Sequence, residues 1–149
     1  MHNFKKYPEL TEKQMQIYYF ESPHKQIKEN FSAKVKRVID GDTIKVKCDF
    51  RDFEFSIRFL RTNAPELNED GGNESKNWLK NKIEGENIEV LIDNNNRVDK
   101  WGRLLGEIMF KGISMNEESV ILGHSKIIGD ETGKLPQIEE VVKNVIKIG

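Results

Sequence analysis

At 149 residues, with 36% hydrophobic and 33% charged residues, the chain carries enough apolar side chains for one core and too few for two. A formal charge of −1 excludes a global pull toward nucleic acid, so any such interaction must rest on local clusters of the basic residues. The single cysteine, Cys48, rules out an internal disulfide, and no histidine or second cysteine stands at a zinc-like spacing.

No stretch approaches the roughly 18 apolar residues of a membrane span, and residues 1–30 mix charges where a signal region would be apolar. The expectation is a soluble, unexported protein of a reducing, cytoplasmic compartment.

In chain order, "LTEKQMQIYYF" opens with a helix-start signal, Thr11 as N-cap, Gln14 at N3, and Leu10 with Met15 as a hydrophobic staple. A short helix is predicted over 11–20. Pro23 and "HKQIKEN" end it, which marks residues 1–30 as a helical extension preceding a domain at 31–149. From Ala33 the pattern changes to alternation through Val35, Ile39, Ile44, Val46, Phe53, Phe55, Ile57 and Phe59, broken at "DGD" and "CDFRD". This predicts a three-strand meander.

"NEDGGNES" reads as a glycine-bearing loop, and "ESKNWLKNKI" as an amphipathic helix with Trp78, Leu79 and Ile83 near helical spacing. "NIEVLI" and "RLLGEIMF" are a fourth and a fifth strand. Ser114 and Glu117 form a capping box for the helix "NEESVILG", and "IEEVVKNVIK" after Pro136 predicts a last amphipathic helix. Five short strands interrupted by a helix after the third suit a mainly β, α+β fold: a five-stranded Greek-key barrel of the OB type with about three helices beyond the N-terminal extension.

Four pieces carry candidate chemistry: "DGDT" at 40–43, "IRFLRTNAPE" at 57–66, "DKWGR" at 99–103 and "MNEESVILG" at 115–123. Taken singly, each has an ordinary structural reading. "DGD" is a tight turn, Arg58 a solvated strand residue, and "DKWGR" a polar turn with an aromatic cover. Together, in this order and spacing, they resemble the staphylococcal nuclease family of thermonuclease-like OB-fold phosphodiesterases, over about Ala33 to Ile128.

The resemblance implies a metal-dependent nuclease that hydrolyses phosphodiester bonds of DNA, RNA or both with little sequence preference. It assigns Arg58 and Arg103 to the phosphoryl oxygens, where planar, permanently charged forks match the geometry. Glu66 becomes the general base for the attacking water. Asp42, Asn63 and the backbone carbonyl of Ala64 become ligands of a divalent cation, calcium by the hardness of the oxygen donors. Asp99, Lys100 and Trp101 become substrate-contacting residues.

Four departures from the family pattern temper this picture. Asn63 stands where a second metal-binding aspartate is usual, and losing one unit of charge weakens a hard-cation site. Trp101 replaces the usual tyrosine and keeps a flat face for a base or sugar. No tyrosine follows in "IIGDETG", and the loop after Glu66 is acidic through Glu69, Asp70 and Glu74, which repels a polyanion.

The alternative reading is a catalytically weak, nuclease-like OB module that binds nucleic acid or protein. A further alternative is a docked component of a larger assembly, with a protein partner held by the N-terminal helix through "MQIYYF".

Overall fold

Strand β1 (Phe31–Asp40) is long enough to serve two neighbours. It pairs antiparallel with β2 (Thr43–Lys47) through its second half and with β5 (Asn87–Leu91) through its first half. Register shifts between Val35 and Arg37 and between Val38 and Asp40 bend it, as bulges do, so that one strand can wrap around a core.

β3 (Phe55–Phe59) continues the meander against β2, and β6 (Leu104–Phe110) pairs with β5. A short parallel seam, Ile57 opposite Leu104, Arg58 opposite Leu105 and Phe59 opposite Gly106, joins β3 to β6. That seam closes β1, β2, β3, β5 and β6 into a five-stranded barrel, the predicted OB-like architecture. The computed structural model describes residues 2–128; the helix predicted after Pro136 lies outside them.

Alternation fills the barrel. Val35, Ile44, Val46, Ile57, Val90 and Ile108 are fully buried, while the residues between them in β2 and β3 reach toward solvent. Two-residue strands β4 (Thr62–Asn63) and β8 (Lys126–Ile127) pair outside the barrel, and β7 (Ile113–Ser114) extends β6.

Helix α2 (Gly72–Ile83) lays Ser75, Leu79 and Ile83 on the barrel at i, i+4 spacing, and Trp78 stacks on His124 with ring centroids 5.2 Å apart. Helix α3 (Met115–Ile121) starts at Ser114, whose hydroxyl accepts from the Glu117 N–H. The buried Asn116 carboxamide then donates to the Leu60 and Gly106 carbonyls and accepts from Ile108 N–H, pinning the open end of the seam.

The segment before β1 contains helix α1 (Glu12–Tyr18) with the predicted capping box in place: the Thr11 hydroxyl accepts from Gln14 N–H, and Gln14 Oε1 from Thr11 N–H. One 3-10 turn, Tyr19–Glu21, follows. Neither helix buries a residue, and Ile17 and Phe20 are exposed.

The coil on either side of them touches the barrel instead. Leu10 and Ile27 are buried, Leu10 N–H donates to Gln26 Oε1, and Gln26 Nε2 donates to the Pro8 carbonyl. Glu9, with no exposed surface, accepts from Arg51 Nη2 at 2.6 Å, Arg97 Nη1 at 2.7 Å and Ile27 N–H at 2.7 Å. An amphipathic pattern on α1 thus coexists with attachment made through its flanks.

Candidate active site

Gly41 is the point on which three segments converge. Its φ is outside the left-handed region, so its role is space rather than backbone freedom. A Cβ there would stand 1.9 Å from Ser75 Oγ and 2.7 Å from the Ala64 Cβ, a clash that no rotamer change in Ala64 relieves. The turn at 40–42, the loop at 63–66 and the start of α2 therefore approach one another only because this residue is glycine.

A second close approach fixes the loop beyond. A Cβ on Gly72 would lie 2.0 Å from the Glu66 carbonyl oxygen. Glu66 N–H donates to Glu69 Oε1, and Glu69 N–H to the Glu66 carbonyl, so the loop is closed on itself with the Glu66 side chain exposed.

Asp42, at the start of β2, is buried. Its Oδ2 accepts from Ala64 N–H at 2.7 Å and faces Arg58 Nη2 at 3.3 Å; its Oδ1 accepts from the Thr43 hydroxyl. Burial pushes the Asp42 carboxyl up to about 6, helped by its hydrogen bond with the Asp40 carboxylate and opposed by Arg58 and the Ala64 N–H. Asp40 Oδ1 also accepts from Asp42 N–H, so the "DGD" turn holds two carboxylates close together.

Arg58, opposite Thr43 in the β2–β3 ladder, is largely covered. Its Nη1 donates to the Phe59 and Thr62 carbonyls, and its Nη2 to Asn63 Oδ1 at 3.0 Å. Asp42 and Asn63, both expected as cation ligands, thus meet at one cationic nitrogen.

Arg103 precedes β6. Leu104, the residue after Arg103, pairs with Ile57, the residue before Arg58, so the two arginines flank one pair of the seam along the chain. Asp99 holds Arg103 in place: Oδ1 accepts from Trp101 N–H and Arg103 N–H, and Oδ2 from Arg103 Nε at 2.7 Å.

Asp99 is 3% exposed, and both its carboxylate oxygens accept hydrogen bonds inside the turn. Trp101 is 62% exposed and lies beneath two cations, Lys100 Nζ at 4.5 Å and Arg103 Cζ at 5.4 Å from its ring centre. Lys100 is exposed as well.

The Asp42 and Asp40 carboxylates and the Asn63 carboxamide offer oxygen donors, the kind a hard cation takes, while Ala64 meets Asp42 through its N–H. No group of three or more His, Cys, Asp or Glu side chains gathers at one point among the described residues, in keeping with Asn63 in place of a third carboxylate. In sequence the two carboxylates flanking Gly41 in "DGD" read either as a turn or as metal ligands, and only Asp42 is assigned to the cation; the structure joins Asp40 to it through the Asp42 N–H. Sequence reading missed Tyr7, which packs on Gly102, and Arg97, two residues before the 99–103 turn, whose guanidinium bonds Glu9; residues with no motif of their own give no signal.

Residues 56–145 match the family model of staphylococcal nuclease homologues. An uncharacterized protein of Bacillus anthracis is 28% identical over 124 residues, covering 77% of this chain and 57% of that protein. An uncharacterized endonuclease of Escherichia coli O157:H7 is 34% identical over 92 residues, 61% of this chain and 57% of that one. Endonuclease YncB of Bacillus subtilis is 27% identical over 113 residues, 71% and 53% respectively. The chain thus spans little more than half the length of these relatives.

Proposed function

Because the chain belongs to the staphylococcal nuclease homologue family, we propose that it hydrolyses phosphodiester bonds of DNA, RNA or both, with low sequence specificity and dependence on calcium. The observation that carries this reading is the meeting of Asp42, Asn63 and Arg58 at one point on β3, the strand that pairs with the β6 strand Arg103 leads into. Arg58 and Arg103 together would grip a phosphodiester and oppose the charge that grows on its oxygens in the transition state. The exposed Glu66 carboxylate, on a loop tied to α2, takes the proton of the attacking water.

Trp101, flanked by Lys100 and Arg103, offers a face on which any base can stack, which favours low sequence preference. Asp42, Asn63 and the Ala64 carbonyl would hold the cation, which supplies charge compensation at the phosphate when bound. The names of the Escherichia coli and Bacillus subtilis relatives as endonucleases support internal cleavage.

The test is incubation of supercoiled plasmid and a structured RNA with the protein, in millimolar calcium or in chelator, followed on gels. Cleavage of neither nucleic acid in calcium overturns the proposal. A mobility shift without cleavage would instead establish a binding module, a reading favoured by the engagement of both Arg58 Nη atoms within the protein.

A further inference from the structure

We propose that residues 7–10, outside the barrel's strand ladder, brace the turn that carries Arg103, with Tyr7 and Glu9 as positioning residues for that arginine. The inference rests on the assignment of Arg103 to phosphate binding, and it adds a part of the chain that the family-model match, residues 56–145, does not reach.

Arg103 is the more exposed of the two candidate phosphate-binding arginines, and among the described residues its charged anchor is Asp99. Where the guanidinium points therefore depends on the 99–103 turn. From within, the turn is held by Asp99 and by Gly102, whose φ of +85° suits glycine.

From without it meets Tyr7. A Cβ on Gly102 would stand 3.3, 3.5 and 3.6 Å from the Tyr7 Cδ1, Cβ and Cγ atoms, so the tyrosine packs directly on the glycine backbone. Upstream of the turn, the Arg97 carbonyl accepts from Leu105 N–H, which ties residue 97 to β6. The Arg97 guanidinium reaches back to Glu9 Oε1 and to the Leu10 and Ile27 carbonyls. The turn and the residue leading into it thus lean on the same four residues.

Those four residues are themselves fixed. Tyr7 N–H donates to the Asn3 carbonyl, Gln26 and His24 hold the Pro8 carbonyl, and Glu9 is clamped between Arg97 and Arg51. A polar turn on a barrel rim ordinarily samples many conformations; backing it with an aromatic ring and a buried ion pair holds an arginine in the geometry it needs before substrate arrives.

The experiment compares Tyr7→Ala and Tyr7→Phe in the full chain, alone and combined with Arg103→Ala. Tyr7→Ala is expected to lower kcat for plasmid cleavage roughly ten- to hundredfold, the scale on which a misplaced catalytic group acts, while Tyr7→Phe, which keeps the ring, stays near wild type. In the Arg103→Ala background Tyr7→Ala should have no further effect, because the group it positions is gone.

Amide relaxation gives a readout independent of activity: order parameters for Trp101 and Gly102 are expected to fall from about 0.85 to below about 0.6 in Tyr7→Ala. Equal losses in both backgrounds, or unchanged order parameters, overturn the brace. A wild-type chain that cleaves nothing sinks the proposed function, and the order parameters then decide the brace alone.

Discussion

Arg58 Nη2 stands 3.3 Å from Asp42 Oδ2 and 3.0 Å from Asn63 Oδ1, so one guanidinium supplies the positive charge for the buried end of the candidate cation site. The same group donates to the Phe59 and Thr62 carbonyls, which with Asp42 and Asn63 makes four partners that a planar fork can span and a single ammonium cannot. Arg58→Lys and Arg58→Ala are both expected to lower the cleavage rate by about two orders of magnitude or more. A lysine variant of near wild-type rate would show that charge alone suffices and that the fork is not used.

Glu66 separates chemistry from folding more cleanly, because its side chain is exposed and only its backbone is engaged in the loop. Glu66→Ala should cost roughly two or more orders of magnitude in rate, with an unfolding midpoint in urea like that of the wild type. Full activity in this variant removes the residue from the reaction.

Asp42 carries a pH dependence with a definite sign. Its carboxyl is raised from an ordinary 3.8 to about 6, chiefly by burial and then by Asp40. Between those values the folded state holds a proton that the unfolded chain has released. Folding is therefore favoured at the acid end of the window, and that stability is lost as the pH rises through about 6.

Asn at this position has no proton to lose. In chelator, the stability of Asp42→Asn relative to wild type should grow between pH 4 and pH 7 by as much as about 3 kcal/mol. Urea unfolding at several pH values measures it, and a flat difference would contradict the raised value.

Glu9 is buried between two arginines. Glu9→Ala leaves both cations without their carboxylate in a place water does not reach, and is expected to destabilise the protein by about 3–5 kcal/mol. Placing residues 1–30 in a separable extension leads one to expect a barrel indifferent to their deletion; the burial of Leu10 and Ile27 with Glu9 predicts a large loss of stability instead. Thermal unfolding of the truncated chain decides between them.

What the sequence made legible was whatever local periodicity or turn chemistry encodes. The alternation from Ala33 to Phe59 foretold three strands, Ser114 the start of α3, and Thr11 with Gln14 the capping box, because each is a rule about near neighbours. The order of four short pieces pointed to the family whose model residues 56–145 match. Long-range partners remained out of reach: nothing near Glu9 announces Arg51 or Arg97, forty and ninety residues away in round numbers, and nothing in "DGD" tells a tight turn from a glycine needed for the approach of Ala64 and Ser75. Nor does local pattern tell that Ile17, Tyr19 and Phe20 of "MQIYYF" stay exposed while Leu10 and Ile27 on either side are buried.

Asn63 offers the sharpest test of the cation assignment. Its carboxamide oxygen already accepts from the cationic nitrogen that faces Asp42, so the position lies beside the proposed site, but an amide contributes no charge to a cage whose affinity follows ligand charge. Asn63→Asp adds a second carboxylate to the one Arg58 faces at Asp42, and the mutual repulsion of the two is relieved when a divalent ion binds.

Calcium should bind the variant more tightly by calorimetry and support cleavage at lower concentration, whereas the wild type should need about millimolar calcium. A phosphodiester brings negative charge of its own to the ion, so metal and substrate should each raise the affinity for the other, and by a smaller factor in Asn63→Asp, where the added carboxylate already supplies part of that charge. Equal calcium affinity in the two proteins would place position 63 outside the cation's coordination, and the assignment of Asp42, Asn63 and Ala64 to a metal would fall with it.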